Sequence, residues 1–341
     1  MTNDHAAIIA SMLNKKMSQI GPVDVSPNIH PRVSIVMGVY NEAPHIGRAL
    51  DSLLIQTFDD YDLIVVDDGS DDDTPAILDR YQKQDARIQV IRQANLGLTM
   101  ALINGCDASR GEYIARHDAN DWSDSRRLAE QVAILDSCPD VGFVSCATQY
   151  VGPNDELMEL ITRGNSPLET TRKLLDEREG PPAHGSVMFR RSLYEAVGGY
   201  RPEFYFSQDS DLWMRMAERM LIAYSSFTLY FWRRDPRGIS GQMGVSQHKF
   251  GSWGQECRAA RREGRSEEPI LDAARKFAND LRDQRMNARS SWGSAKMAYL
   301  IGSTLARRGD PRARKYFWQA IRSNPLYWRA WLRVVISRTT E

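Results

Sequence analysis

Three short stretches of the 341-residue chain concentrate side chains able to do chemistry. Asp67-Asp68 closes the apolar run Leu63-Ile-Val-Val66, and His117-Asp118-Ala-Asn120-Asp121 follows Tyr113-Ile-Ala115. Asp209 and Asp211 stand in Gln208-Asp-Ser-Asp-Leu-Trp213. Carboxylates accept hydrogen bonds from imides and hydroxyls, hold hard divalent cations through oxygen and act as general bases. Position separates functional aspartates from merely solubilising ones. Residues 59 to 73 hold eight aspartates and no Lys or Arg. A solvated loop accounts for Asp59, Asp60 and Asp71 to Asp73, whereas Asp67 and Asp68 end a buried strand and are expected to serve a ligand. The four cysteines, Cys106, Cys138, Cys146 and Cys257, have no CxxC spacing or paired His, so neither a disulfide framework nor a zinc site is expected.

The elements that must position these groups follow from hydrophobic spacing. Val33–Met37 is predicted as a strand, Ile46–Gln56 as a helix and Leu63–Val66 as a second strand. This is a βαβ unit, whose right-handed crossover makes the strands parallel. Thr74–Gln82 reads as the next helix, Ile88–Ile91 as a third strand, Gly97–Ala108 as a helix and Tyr113–Ala115 as a fourth strand. Such alternation implies an α/β fold with a doubly wound, mostly parallel sheet, which binds ligands at the carboxyl ends of its strands. Those ends carry Gly38, Tyr40, Asn41 and Glu42; Asp67, Asp68, Gly69 and Ser70; and His117, Asp118, Asn120 and Asp121. Three carboxylate-bearing loops thus converge on one sheet edge. Farther on, 206–215 enters a helix with acidic residues in its first turn. One carboxylate there serves as a cap or complements the helix dipole, and two exceed that need.

Val33-Ser-Ile-Val-Met-Gly-Val-Tyr-Asn-Glu42, Gln56-Thr-Phe58, Leu63-Ile-Val-Val-Asp-Asp-Gly-Ser70 with Asp73-Thr74, and Gly111-Glu-Tyr-Ile-Ala-Arg-His-Asp-Ala-Asn-Asp121 follow one another. His184-Gly-Ser-Val-Met-Phe-Arg190, Gly198-Gly-Tyr-Arg-Pro202 and Gln208-Asp-Ser-Asp-Leu-Trp213 come after them. In this order the motifs resemble the family 2 inverting glycosyltransferases of the GT-A fold, over roughly residues 32–240. The resemblance implies a Rossmann-like, mostly parallel sheet flanked by helices. It implies transfer of a sugar from a nucleotide-diphosphate donor, a UDP-sugar, to a hydroxyl of a glycan or lipid-linked acceptor, with inversion, in surface polysaccharide synthesis.

The same resemblance assigns roles. Asp68 is placed against the base, beside Asp67, with Gly38, Tyr40 and Glu42 lining that pocket. Asp118-Ala-Asn120 takes the place of the family's DxD motif, which holds Mg2+ or Mn2+. The third residue is Asn120 rather than Asp, with Asp121 directly after it, so a neutral amide oxygen replaces a charged ligand. Where many relatives have Arg-x-His after the last strand, this chain has Arg233-Arg-Asp235, and Asp235 is a candidate to restore the lost charge. Arg116 is expected to contact the diphosphate or to pair with the acidic loops. His117 is expected to point away from Asp118 by strand alternation. Asp209, six residues before Arg215, is implied as the general base. His184, Asp211 and Trp213 fall on the acceptor side, with a core role as the alternative for Trp213.

Beyond the motifs, residues 253–276 are predicted as charged helix, and 295–335 resemble a tetratricopeptide unit and a fraction of the next. The expected organisation is an extension at 1–31 with a helix at 6–20, a GT-A domain at 32–240 and a basic helical region at 241–341. Charge cancels overall, 44 Lys+Arg against 44 Asp+Glu, which excludes a global field drawing in nucleic acid. The cancellation is between parts: residues 285–341 hold 12 basic against 2 acidic residues, net +10, and the remainder carries −10. Basic residues interleaved with Phe317, Trp318, Tyr327, Trp328 and Trp331 suit peripheral contact with an anionic membrane, and equally a return onto the acidic domain. No run approaches the roughly 18 apolar residues that span a bilayer, and Asp4 followed by Lys15-Lys16 reverses a secretory signal. The expected location is cytoplasmic, or peripheral on the inner face of the cytoplasmic membrane. Two other classes compete. One is a nucleotide-sugar-binding protein that has lost catalysis, motivated by Asn120 and the missing His. The other is a Rossmann oxidoreductase or nucleotidyltransferase, whose dinucleotide version is disfavoured because the first loop lacks GxGxxG.

Overall fold

The computed structural model describes residues 30–336, apart from 165, 237, 239–242 and 285–290. The helix expected at 6–20 lies outside the described residues. Strand β1 (Val33–Val39) is buried along its whole length, as a continuous apolar run dictates for a strand covered on both faces. Alternation sends Val33, Ile35, Met37 and Val39 to one face, against α1 (Ile46–Leu54) and Leu78 of α2 (Thr74–Gln84). It sends Val36 to the other, against Leu102 and Cys106 of α3 (Leu98–Ala108). Gly38 shares that second face. A Cβ there would stand 3.0 Å from Leu98 Cδ1 and 3.3 Å from Ala101 Cβ, so the close approach of α3 requires the glycine.

Strands β2 (Tyr61–Asp67) and β4 (Tyr113–Arg116) flank β1 in parallel, and β3 (Ile88–Arg92) pairs in parallel with β2. The order β3-β2-β1-β4 continues through β8 (Met188–Arg190), β6 (Val141–Val151), β9 (Leu221–Arg233) and β5 (Trp122–Ser123). With β7 (Leu157–Ile161) on β6, this makes a nine-stranded sheet among the described residues. Strand β8 runs antiparallel to both β4 and β6, and β6 and β9 run parallel. The architecture is therefore the expected α/β one. A parallel half carries the loops after β1, β2 and β4, and a mixed half brings β9 and β5 to the last of them. Ser123 pairs with Tyr230 and Trp122 with Phe231, which carries the end of β9 to the 117–121 loop.

Helices α4 (Arg127–Ser137), α5 (Pro167–Glu177), α6 (Arg191–Ala196) and α7 (Gln208–Ala217) cover the sheet. Leu212, Trp213 and Met216 of α7 pack in one cluster with Phe143 and Phe189. Helices α8 (Gly244–Arg262) and α9 (Glu268–Gln284) cover Phe204 to Phe206, the segment leading into α7, through Phe250, Cys257, Ala274 and Ala278.

The last helices, α10 (Ser291–Arg307), α11 (Ala313–Ser323) and α12 (Trp328–Ile336), return to the sheet. Ala298, Ile301, Leu305, Phe317 and Ile321 form one buried cluster with Met158 of β7. Tyr316 donates its hydroxyl to Glu156 at 2.7 Å, and Arg307 meets Glu159 at 3.0 Å. The Arg307–Glu159 pair is 70% and 41% exposed and contributes only about 0–1 kcal/mol. Each large apolar side chain buried here contributes about 1.5–3 kcal/mol, so packing holds the basic helices to the acidic domain more than charge does.

Candidate functional site

The loops after β1 and β2 are tied together by their own polar groups. Asn41, at φ 54, donates Nδ2–H to Asp71 at 2.6 Å, and its side-chain oxygen accepts the Asp71 N–H at 2.9 Å. Asp72 accepts the N–H of Ala43 at 3.1 Å and that of Thr74 at 2.9 Å. Asp71 and Asp72 are thus fasteners of the β1 loop, a role that composition assigned to solvent. Asp67 is 2% exposed and accepts the Ser70 N–H at 3.0 Å, closing its own turn. Asp68 is 4% exposed, and both its oxygens are engaged. One accepts Gln93 Nε2–H at 2.8 Å and Leu96 N–H at 2.7 Å; the other accepts Gly97 N–H at 2.8 Å.

Asp67 and Asp68 thus hold their own turn and the loop between β3 and α3, a positioning role alongside the contact with the base expected of them, since a carboxylate has about four acceptor sites. Asp68 fixes the loop between β3 and α3. That loop, through Asn95 and Leu96, forms a cavity of about 510 Å3 with Glu203 and with Arg275 and Arg282 of α9. Gly38 is buried where α3 packs closely on β1. Tyr40 is 44% exposed and Glu42 partly exposed, so these two remain at the mouth of the first loop.

The loop after β4 rests on buried cations. Arg116 is 0% exposed; it donates to the carbonyls of Val36 and His117, to Asp118 Oδ1 at 2.7 Å and to His184 Nε2 at 3.3 Å. A guanidinium so enclosed cannot touch a diphosphate, and the expected diphosphate contact becomes a support for Asp118. Arg127, also 0% exposed, donates to the Arg116 carbonyl, to Ser123 Oγ at 3.0 Å and to Gln131 Oε1 at 3.1 Å. Two buried positive charges beneath this loop favour an anion above it.

Asp121 is 1% exposed. One oxygen accepts the Arg233 N–H and the other the Tyr230 hydroxyl, each at 2.8 Å. Burial, and next the charge of Asp118, push its pKa well above the usual carboxylate value. Its engaged oxygens correct its expected place among the metal ligands. Arg233 also donates to the Asn120 carbonyl at 3.1 Å and pairs with Asp155 at 2.8 Å. Asp118, 24% exposed, and the partly exposed Asn120 are what the loop presents. His117 is 0% exposed, lies edge-on to Tyr230 and sets Nδ1 2.9 Å from the Asp118 carbonyl oxygen, so its ring packs into the core against the Asp118 backbone. Gly185 makes this packing feasible, since a Cβ there would fall 1.9 Å from the Tyr230 hydroxyl oxygen.

At the start of α7, Asp209 is partly exposed and accepts the Ser210 N–H at 2.7 Å. Burial raises its pKa, with the charge of Asp118 adding in the same direction against the Ser210 N–H. His184 presents one nitrogen, Nε2, to both the Tyr200 hydroxyl at 2.6 Å and the Arg116 guanidinium at 3.3 Å. Burial and then the Arg116 charge push His184 well below its ordinary value, which keeps it neutral and able to accept. The chain Asp118, Arg116, His184, Tyr200 thus leads from the loop after β4 toward Asp209.

Two residues expected on the acceptor side lie elsewhere. Asp211 is 1% exposed and accepts two hydrogen bonds from Arg215, at 3.0 and 2.7 Å. Two positions along a helix rotate a side chain by about 200°, so Asp209 at the surface sends Asp211 inward. Trp213, 3% exposed, stacks on Phe143 at 5.7 Å beneath His184 and belongs to the core. Asp235 lines a separate cavity of about 370 Å3 with Asn154, Lys315, Tyr316 and Arg322. Among the described residues no group of three or more His, Cys, Asp or Glu side chains is placed to hold a metal ion. Residue spacing also left Tyr230, Arg127 and the roles of Asp71 and Asp72 unmarked, because their partners lie far away in sequence.

The chain matches the family model Glycosyl transferase family 2 over residues 34–198. EpsE of Bacillus subtilis, named as a glycosyltransferase, is 33% identical over 203 residues, covering 58% of this chain and 71% of EpsE. This chain belongs to glycosyltransferase family 2. EpsJ of the same organism, also named as a glycosyltransferase, is 34% identical over 224 residues, covering 62% of the family 2 chain and 63% of EpsJ. Among solved structures, the mannosyltransferase PcManGT from Pyrobaculum calidifontis, in complex with GDP-Man and Mn2+, matches with a TM-score of 0.51 at 21% identity. That match covers 97% of this chain and 95% of PcManGT. TarS 1–349 of S. aureus, in complex with UDP, matches with a TM-score of 0.50 at 15% identity, covering 86% and 88%. These two likenesses show that the family 2 chain has their fold. No helix among the described residues is long and apolar enough to cross a membrane.

Proposed function

We propose that this family 2 chain moves a sugar from a nucleotide-diphosphate donor, a UDP-sugar, to a hydroxyl of a glycan or lipid-linked acceptor, with inversion, in surface polysaccharide synthesis. The observation that carries the reading is the loop after β4, where Arg116 holds Asp118 at 2.7 Å with its carboxylate 24% exposed, together with the partly exposed Asp209 at the start of α7, whose proton affinity burial and the charge of Asp118 raise. Asp209 takes the proton from the acceptor hydroxyl. The oxygen attacks the anomeric carbon from the face opposite the diphosphate, and the bond to the diphosphate breaks as the glycosidic bond forms. Tyr40 and Glu42 border the nucleotide, on the loop that Asp71 and Asp72 hold in place.

A divalent cation, Mg2+ or Mn2+, when bound neutralises the departing diphosphate. The donor set fits it. Asp118 keeps a partly exposed carboxylate with one oxygen steadied by Arg116, and Asn120 adds a neutral oxygen. One or two protein oxygens completed by phosphate and water is the ordinary arrangement for such ions. The two neighbours in complex with GDP-Man and Mn2+ and with UDP support a nucleotide-sugar donor. The acceptor reading places the chain in the cytoplasm, peripheral on the inner membrane face through 285–341.

Asn120 in the third DxD position and Asp235 where many relatives have His motivate a second reading, a nucleotide-sugar-binding protein impaired in catalysis. A thermal-shift screen of nucleotide sugars with and without Mn2+, followed by turnover of the best donor, decides between them. Mn2+-dependent stabilisation with turnover that Asp209→Asn abolishes supports transfer. Stabilisation with no turnover on a broad acceptor panel supports the second reading, and no stabilisation by any donor overturns both.

A further inference from the structure

Helix α12 has two apolar faces, and one is uncovered. Ala330 and Val334 are buried in the cluster with α10 and α11, whereas Trp328, Trp331, Leu332 and Val335 are 61, 42, 51 and 60% exposed. Those four stand at i, i+3, i+4 and i+7, one stripe about 100° wide along a helix. Leu326 in the preceding turn is 80% exposed. Trp292, 51% exposed, lies against Tyr327 with ring centroids 5.4 Å apart, and extends the patch. Contiguous exposure of this kind on a folded domain marks an interaction surface.

The charges around the stripe select its partner. Arg329 and Arg333, each one position past an exposed apolar residue, are themselves exposed along its flank. From 311 to 336 there are six Lys and Arg and no Asp or Glu. Two copies of such a face would set arginines against arginines, which disfavours self-association. The indole N–H of Trp331 donates to the Pro325 carbonyl at 3.0 Å, so its ring enters an apolar medium without an orphaned donor. Tryptophans at headgroup depth, Leu and Val reaching the acyl boundary and guanidinium groups at the phosphates make the composition of an interfacial helix.

We propose that the exposed face of α12 docks this chain on a bilayer carrying anionic headgroups, an inference that rests on the reading of a lipid-linked acceptor. The full chain is sedimented with vesicles of phosphatidylcholine alone and of phosphatidylcholine with phosphatidylglycerol, at low and high salt. Two variants accompany it, Trp328→Ser/Leu332→Ser and Arg329→Gln/Arg333→Gln; circular dichroism and donor-induced thermal shifts check that each retains the fold and the distant site.

The chain is expected to sediment with the anionic vesicles in a salt-sensitive way. The arginine variant loses roughly 25-fold in partitioning, about fivefold per residue, and the apolar variant at least roughly tenfold. Equal binding to neutral and anionic vesicles, or unchanged sedimentation of either folded variant, overturns the proposal. So does a dimer in light scattering that Trp328→Ser/Leu332→Ser abolishes without vesicle binding, which assigns the face to a second copy. Failure to bind any donor would overturn the transferase reading while leaving the vesicle result standing, so the two failures are distinguishable.

Discussion

Tyr230 donates its hydroxyl to the carboxylate of Asp121 at 2.8 Å, from a strand 109 positions later in the chain. The same oxygen accepts the N–H of Asp118 at 3.1 Å. One phenol therefore sets both ends of the 118–121 turn, and with the Arg233 N–H it holds Asp121 in a buried, doubly bonded state. The loop that presents Asp118 and Asn120 takes its shape from β9.

Tyr230→Phe is expected to leave the Asp118 N–H and one Asp121 oxygen unpartnered in the interior. The cost is about 1–3 kcal/mol, read as a lower urea midpoint with an unchanged slope. Donor affinity, measured by calorimetry, falls as well, because the turn loses its register. A variant with wild-type stability and affinity would show that the turn holds without the phenol.

The base role proposed for Asp209 requires its deprotonated form, and its pKa is raised, chiefly by burial. The acid limb of kcat/KM is thus expected above the ordinary aspartate range of about 3.9. Activity falls as pH drops through that raised value and recovers on returning to neutrality. A profile that stays flat down to pH 4 would remove Asp209 from the role.

Asp68 and Gln93 test whether the strand-end carboxylate reads the base or holds the loop. Gln93→Ala removes one of three donors to Asp68 without touching the carboxylate. If Asp68 positions the 93–97 loop, Gln93→Ala and Asp68→Asn both weaken UDP binding, and Asp68→Asn also lowers stability by about 2–3 kcal/mol. Loss of binding in Asp68→Asn alone, at unchanged stability, would restore a direct contact with the base.

Glu156 and Tyr316 predict how the C-terminal helices leave the sheet. Burial raises the pKa of Glu156, but hydrogen bonds from Tyr316 and Asn154 outweigh it, and the net direction is downward. A depressed folded value contributes stability above the unfolded pKa of about 4.3, and that contribution is lost as pH falls through the folded value. Amide exchange in α10–α12 is expected to accelerate on acidification ahead of exchange in β1. Tyr316→Phe, costing about 1–3 kcal/mol, brings the same change at neutral pH; equal protection of both regions at every pH would count against the contact.

Much of the fold was legible because its signals are local. Val33–Met37, five of the seven buried residues of β1, read as a strand from their apolar run, and the βαβ spacing made β2 a parallel neighbour. The loops that carry the site were legible for the same reason, since polar residues directly after a buried strand must find either water, a fold partner or a ligand. Which of the three each side chain finds was not legible. Asp68 and Tyr40 both follow strands, yet one is buried and bonded to Gln93, Leu96 and Gly97 while the other stands 44% exposed. Asp209 and Asp211 differ by two residues and end on opposite sides of α7.

By itself the sequence determined the family, the α/β alternation and the parallel pairing of β1 with β2, because motif order and hydrophobic period are properties of neighbouring residues. It also determined that a net −10 and a net +10 share the chain. Only the tertiary structure decided that Arg116 supports Asp118 from below, that Asp121 is held by Tyr230 and Asp235 lines another cavity, and that the basic helices pack on β7 while α12 keeps one apolar face outside. Burial and hydrogen-bond saturation depend on which distant elements arrive at a residue, and β9 and α10–α12 arrive from more than 100 positions away.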